Sequence, residues 1–145
     1  MRNLISENVA ARIMLVIFTC TIIFHFLVLG GIVPYDMVWG GRLKNNEEMV
    51  RFEWVSILVN FVMLFVVLLA ARVIPNNVPS IIFQVAFWMM AVLFLMNTVG
   101  NLLSNSAMEK AIFTPITALL ALCSLRLALA GKKQSARFSS VNSNF

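Results

Sequence analysis

Four long apolar stretches separated by short polar connections set the pattern of this chain: Ile13 to Val33, Trp54 to Ala71, Ile81 to Leu103 and Ala111 to Ala130. Roughly 20 apolar residues, rising about 1.5 Å each, cross a hydrocarbon core about 30 Å thick, so each stretch is long enough to span a membrane. Backbone groups find no water there, which leaves the helix as the form each stretch must take. The expected fold is all-α: a bundle of four transmembrane helices, up-down-up-down with short loops. The helices are placed at about 9–33, 47–73, 80–103 and 107–130 in one domain of residues 1–131. The tail 132–145, KKQSARFSSVNSNF, is too poor in apolar residues to pack a core and is expected to be disordered.

Local signals set the boundaries. Pro34 cannot continue the first helix comfortably, so that helix is expected to end near it. Gly40-Gly41 supplies a flexible turn. Asn45-Asn46 followed by Glu47-Glu48 reads as a helix start, with a cap for the free amides and acids at the positive end of the dipole. Glu47 and Arg51 are four apart in the favourable order. The connection RVIPNNVPS is short and holds two prolines, which predicts helices two and three as antiparallel neighbours. Ser106 with Glu109 three residues on is a capping-box pattern that starts helix four near Ala107. Pro115, two turns further, should kink it. The first stretch does not read as a cleaved signal peptide, because its apolar core is too long and no small-residue cleavage pattern follows.

Composition agrees with lipid as the solvent. The chain is 61% hydrophobic and only 12% charged, about half the charge of a soluble domain, with mean hydropathy +0.91. Charge then gives the orientation. Arg2, Arg12, Arg72, Arg126, Lys132, Lys133 and Arg137 fall on one side; Arg42, Lys44, Arg51 and Lys110 fall on the other. The positive-inside rule puts both termini in the cytoplasm, in a membrane taken to be the bacterial inner membrane. Asp36, Glu47, Glu48, Glu53 and Glu109 lie outside, and Glu7 inside. The basic residues are scattered around the inner rim, which favours anionic lipid headgroups as partners and speaks against nucleic acid. Cys20 and Cys123 are lone thiols within apolar helix and read as packing residues.

Depth sorts the remaining polar residues. Thr21 and His25 share a face of helix one, as do Glu53, Ser56 and Asn60 on helix two. Asn97, Asn101 and Ser104 line helix three; Lys110, Thr114 and Thr117 line helix four. Nearly all occupy the outer half, with His25 and Asn60 roughly 10 Å below the boundary. The inner halves are almost bare of polar groups, and Phe61 to Ala71 has none. A through-pore needs polar lining along its whole length, so the pattern predicts an outward-facing pocket with a packed apolar floor. Its expected lining is His25, Asn60, Asn97, Thr114, Thr21 and Ser56. Tyr35, Asp36, Trp39, Arg42, Glu48, Arg51, Glu53 and Asn101 are expected at its mouth.

Each of these residues has a plainer reading. Asn, Ser and Thr in membrane helices often only bond a neighbouring helix. An ionisable group at depth is costly and by default marks a site, which singles out His25; a neutral His25 bonded to Asn60 would be structural. Glu53 and Arg51 read as a shallow, solvated pair, and Tyr35, Trp39 and Trp54 as an interfacial aromatic belt.

The stretch VPYDMVWGGRL with EEMVRFE, together with NTVGNL and EKAIFTP, resembles a pattern in small bacterial membrane proteins with four predicted helices. The resemblance covers most of the chain and implies the same bundle; no activity is established for that group, so none carries over. Small multidrug transporters place a Glu in mid-helix one, where this chain has no acid, and quinone-linked thiol oxidoreductases need paired cysteines. The leading expectation is a non-enzymatic bundle that binds a small or lipid-like ligand, as a transporter subunit, sensor or accessory protein, without cofactor or metal. One alternative is an interaction subunit of a larger membrane complex or homo-oligomer. Another is an intramembrane enzyme with His25 as general base and Glu53 or Glu48 as its partner.

Overall fold

The computed structural model describes residues 5–35 and 38–142, with side chains through residue 130. Its helices are α1 (Glu7–Leu29), α2 (Asn46–Ala70), α3 (Ser80–Leu102) and α4 (Thr114–Asn142). A 3₁₀ turn, Trp39–Gly41, lies in the first connection, and a π-helical segment, Glu109–Phe113, leads into α4. No strand occurs among the described residues. Four helices are long and apolar enough to cross a membrane, the fourth over Glu109–Ala130, so the chain is an all-α transmembrane bundle. α4 continues along the segment expected to be disordered as far as Asn142; residues 143–145 lie outside the described ones.

Caps account for where the helices begin. Ser6 Oγ accepts from the Val9 amide at 3.2 Å, and Asn45 Oδ1 accepts from the Glu48 amide at 2.9 Å, each satisfying an orphan donor of the first turn. Glu48 Oε2 in turn accepts from the Lys44 amide.

α1 ends earlier than Pro34 predicted, at Leu29. Gly31 takes φ +74°, its amide bonds Val28 O, and the Ile32 amide bonds Leu27 O at 2.9 Å. This is a Schellman closure, and the glycine at its left-handed position stops the helix before proline matters. α2 closes the same way at Ala70, but with Arg72 at φ +58° and its amide on Leu69 O. Asn76 braces that turn, donating to Leu69 O and Ile74 O and accepting from the Val78 amide. Arg72 also donates to Asn76 O at 2.7 Å.

Packing is uneven around the bundle. α3 lies closely against α4, and α1 against both α2 and α4, whereas α2 and α3 meet only sparsely for helices consecutive in the chain. The short proline-bearing connection predicted α2 and α3 as antiparallel neighbours; they do meet, but splay apart over much of their length. The dry core gathers Ala10, Met14 and Phe18 of α1, Val67 of α2, Phe87 and Met90 of α3, and Cys123 and Ala128 of α4. These residues close the end of the bundle that carries the α2–α3 connection. Arg126 fastens the start of the chain to that end, donating to Ile5 O at 2.9 Å and reaching Glu7 at 3.4 Å. At the opposite end, here the loop end, a smaller cluster of Val28, Val38 and Met49 packs the first connection onto the bundle.

Candidate functional site: a polar cleft between two helices

The splay of α2 from α3 leaves a cavity of about 600 Å³ at the loop end, within the size range of small-molecule sites. Its floor is Met63, Phe94, Ile116 and Leu120, contiguous with the dry core. Its lips are Val55 and Val59 on α2 and Leu93 and Met96 on α3. All four are substantially exposed, Met96 at 69%. The cleft therefore opens sideways toward the hydrocarbon as well as toward the loops.

Above the floor sits a chain of polar contacts. Glu53 occupies the buried stripe of α2, one turn from both Met49 and Ile57, and is only 1% exposed. His25 Nδ1 meets Glu53 Oε2 at 2.7 Å, and Trp39 Nε1 donates to Glu53 Oε1 at 2.8 Å. Both carboxylate oxygens are thus engaged, as a buried carboxyl group requires. Two expectations are corrected here. Glu53 is not a shallow partner of Arg51, which is exposed and forms no ion pair among the described residues. His25 bonds Glu53 and not Asn60, whose amide returns to Ser56 O in its own helix.

The second anchor comes from the start of helix four. Ser106 Oγ accepts from the Glu109 amide at 3.4 Å, the first half of a capping box. The Glu109 side chain does not turn back to complete it. It crosses to the first connection, where the Gly40 amide donates to both of its oxygens at 2.9 and 3.0 Å. Trp39, Gly40 and Gly41 have φ of +56°, +70° and +66°, so the turn coils left-handed. For a side chain as large as Trp39 that conformation costs about 1–2 kcal/mol. Carboxylates from two helices hold it in place, with Trp39 also packed on Phe52 at 4.9 Å between ring centres. Strained residues of this kind concentrate at functional sites.

Of the lining residues expected from the sequence, His25, Asn60, Asn97, Thr21 and Ser56 are on the cavity wall. Thr114 is not: its hydroxyl donates to Glu109 O. Thr117 stands there instead, bonded to Thr98 and Asn101 across the α3–α4 contact. Of the expected mouth residues, Trp39, Arg42, Glu53 and Asn101 reach the cavity, whereas Tyr35, Glu48 and Arg51 do not; Asp36 lies outside the described residues. Trp39 is therefore part of the polar network and not only of an interfacial belt. Ser104, read as part of the polar stripe of helix three, lines the cavity too, and Gly40, Glu109, Phe24 and Phe113 line it without having been expected there. For Glu109 the sequence held half a signal, the box with Ser106.

Among the described residues, no three His, Cys, Asp or Glu side chains converge as a metal site would need. Comparison with family models, with curated protein sequences and with solved structures finds no match.

Proposed function

We propose that this is a non-enzymatic membrane protein that holds an amphipathic, lipid-like molecule in the cleft between α2 and α3. In this reading the bundle runs up-down-up-down with both termini in the cytoplasm, and the loop end faces outward. The observation that carries the reading is the layered wall of the cavity. Hydrogen-bonding groups crowd its loop end, a dry floor closes it below, and apolar lips open it to the side. Such a shape separates the two halves of an amphiphile. A through-going channel has no path past Met63, Phe94 and Leu120.

A second reading has one observation in its favour, since the 2.7 Å contact of His25 with Glu53 is how a carboxylate orients a general base. It lacks a nucleophile: among the described residues no hydroxyl or thiol hydrogen-bonds His25. The binding reading therefore leads.

The test is lipid analysis of the purified protein together with its thermal unfolding on adding amphiphiles. An added Cβ at Gly100 meets nothing within 4 Å, so Gly100→Phe should fill the cleft without disturbing the fold. Wild type should retain and be stabilised by an amphiphile, and Gly100→Phe and Asn60→Leu should weaken that response. If both variants respond as wild type does, the cleft is not the binding site.

A further inference from the structure

The cavity's hydrogen-bonding inventory is lopsided in a way that specifies the headgroup. Glu53 has a partner on each oxygen, Trp39 on one and His25 on the other. Glu109, 8% exposed, has among the described residues the single Gly40 N–H, shared between its two oxygens. A carboxylate accepts about four hydrogen bonds. No Lys, Arg or His among the described residues forms an ion pair with this one. A buried carboxyl group without a directly bonded counter-charge is costly; Arg42 flanks Gly40, its Nε 3.2 Å from the Cβ position there, but forms no ion pair with Glu109, which leaves room for a bonded cation.

Two further acceptors on the wall, Asn60 Oδ1 and Asn101 Oδ1, take no hydrogen bond among the described residues. Carboxylate and amide oxygens call for N–H donors, and a primary ammonium carries three. The aromatic rings do not form a cage for a quaternary ammonium. Phe24 packs edge-on against Phe113 at 5.1 Å, and Trp39 packs against Phe52.

The opposite need is met at the mouth. Arg42 is exposed, and its guanidinium engages no acceptor among the described residues. Asn97, one turn deeper on α3 than Asn101, is also exposed and has no hydrogen bond among the described residues. A guanidinium and an amide donor suit a phosphate. Below them the lips Val55, Val59, Leu93 and Met96 offer only hydrocarbon.

We infer that the cleft takes a phospholipid whose headgroup joins a phosphate to a primary ammonium, an ethanolamine-type lipid, with its chains leaving between α2 and α3. The ammonium sits on Glu109, and the phosphate sits toward Arg42. This rests on the cleft reading above and adds its selectivity. An anionic phosphoglycerol lipid carries the same phosphodiester charge but no ammonium, and so brings no counter-charge for Glu109. Free phosphoethanolamine would leave the apolar lips uncovered.

The full-length protein, purified and delipidated in detergent, is titrated with dihexanoyl phosphatidylethanolamine, phosphatidylcholine and phosphatidylglycerol, and with free phosphoethanolamine. Occupancy is read by native mass spectrometry and thermal shift. The ethanolamine lipid should bind at least about tenfold more tightly than the other three probes, the scale of one charge-assisted hydrogen bond. Glu109→Gln keeps an acceptor for the Gly40 amide but removes the charge; it should abolish that preference. Arg42→Gln should weaken all three phospholipids together. Equal binding of phosphatidylglycerol, a preference that survives Glu109→Gln, or free phosphoethanolamine binding as tightly as the lipid would each overturn the inference. Lipids that bind without headgroup selection and are displaced by Gly100→Phe would sink this inference alone. No lipid bound by wild type, with Gly100→Phe indistinguishable from it, would sink the cleft reading as well.

Discussion

His25 and Glu53, 28 residues apart in the chain, meet at 2.7 Å between α1 and α2, and the Trp39 indole closes on the same carboxyl group from the loop. One side chain thus ties two membrane helices to the connection between them. Removing it leaves two polar partners facing apolar surroundings. Glu53→Leu should destabilise the protein by about 3–5 kcal/mol, the scale of breaking a buried pair. Glu53→Gln, which preserves an acceptor for Trp39, should cost clearly less. Thermal unfolding in detergent, followed by tryptophan emission, separates the two outcomes.

The turn at Gly40 gives a prediction with an internal control. Its φ is +70°, and a Cβ there would come within 3.2 Å of Arg42 Nε. Gly40→Ala should therefore cost about 1–2 kcal/mol, the left-handed penalty for an L-residue. Gly100 lies in the interior of α3 with open space around its Cβ position. Gly100→Ala should be neutral or stabilise by up to about 1 kcal/mol. Paired melting curves decide it, and equal effects at the two glycines would remove the strained turn from the account.

What could be read from the sequence follows from what periodicity encodes. Hydropathy shows length and depth, so the four spans and the layering of Asn60, Asn97 and His25 over an apolar floor were legible. So were the Asn45 cap and the helix start near Ala107, which depend on residues three apart. Periodicity does not encode which helix faces which: the pairing of His25 with Glu53 entered only as one option of the enzyme alternative, and Trp39 with Glu53 and Gly40 with Glu109 were not expected at all. Glu53 shares one helical stripe with Ser56 and Asn60 and another with Met49 and Ile57; only packing decides that the second is buried. Glu109 meets Gly40 across 69 residues. The splay of α2 from α3 also escaped, because a short loop limits how far two helix ends separate and not how closely the helices lie. The Gly30-Gly31 stop was visible in the chain but was passed over in favour of Pro34.

Asn76 is the most concentrated brace in the α2–α3 connection, with three bonds to Leu69, Ile74 and Val78. Asn76→Ala leaves Leu69 O with only the Arg72 amide and removes the side-chain partners of Ile74 O and the Val78 amide, so a loss of about 1–3 kcal/mol is expected. Proteolysis within residues 71–79 should speed up in parallel. Unchanged stability and unchanged cleavage would show the brace to be dispensable.

Arg126 and Glu7 test which of two contacts holds the chain's start. Glu7 is 57% exposed at 3.4 Å, so Glu7→Gln should change stability by less than about 1 kcal/mol. Arg126→Met removes the donor to Ile5 O as well and should be the costlier substitution. Hydrogen exchange in the first turn of α1 should rise with Arg126→Met and stay near wild type with Glu7→Gln.

The most direct measurement of the central claim is the reactivity of single cysteines in membranes, on a background with Cys20→Ser and Cys123→Ala. Asn60→Cys and Asn97→Cys sit on the cavity wall, whereas Val67→Cys and Phe87→Cys sit in the dry core. A small polar thiol reagent should modify the first two and spare the second two. Comparable modification at Val67→Cys and Phe87→Cys, or none at Asn60→Cys, would contradict a cleft that is open at one end of the bundle and sealed at the other.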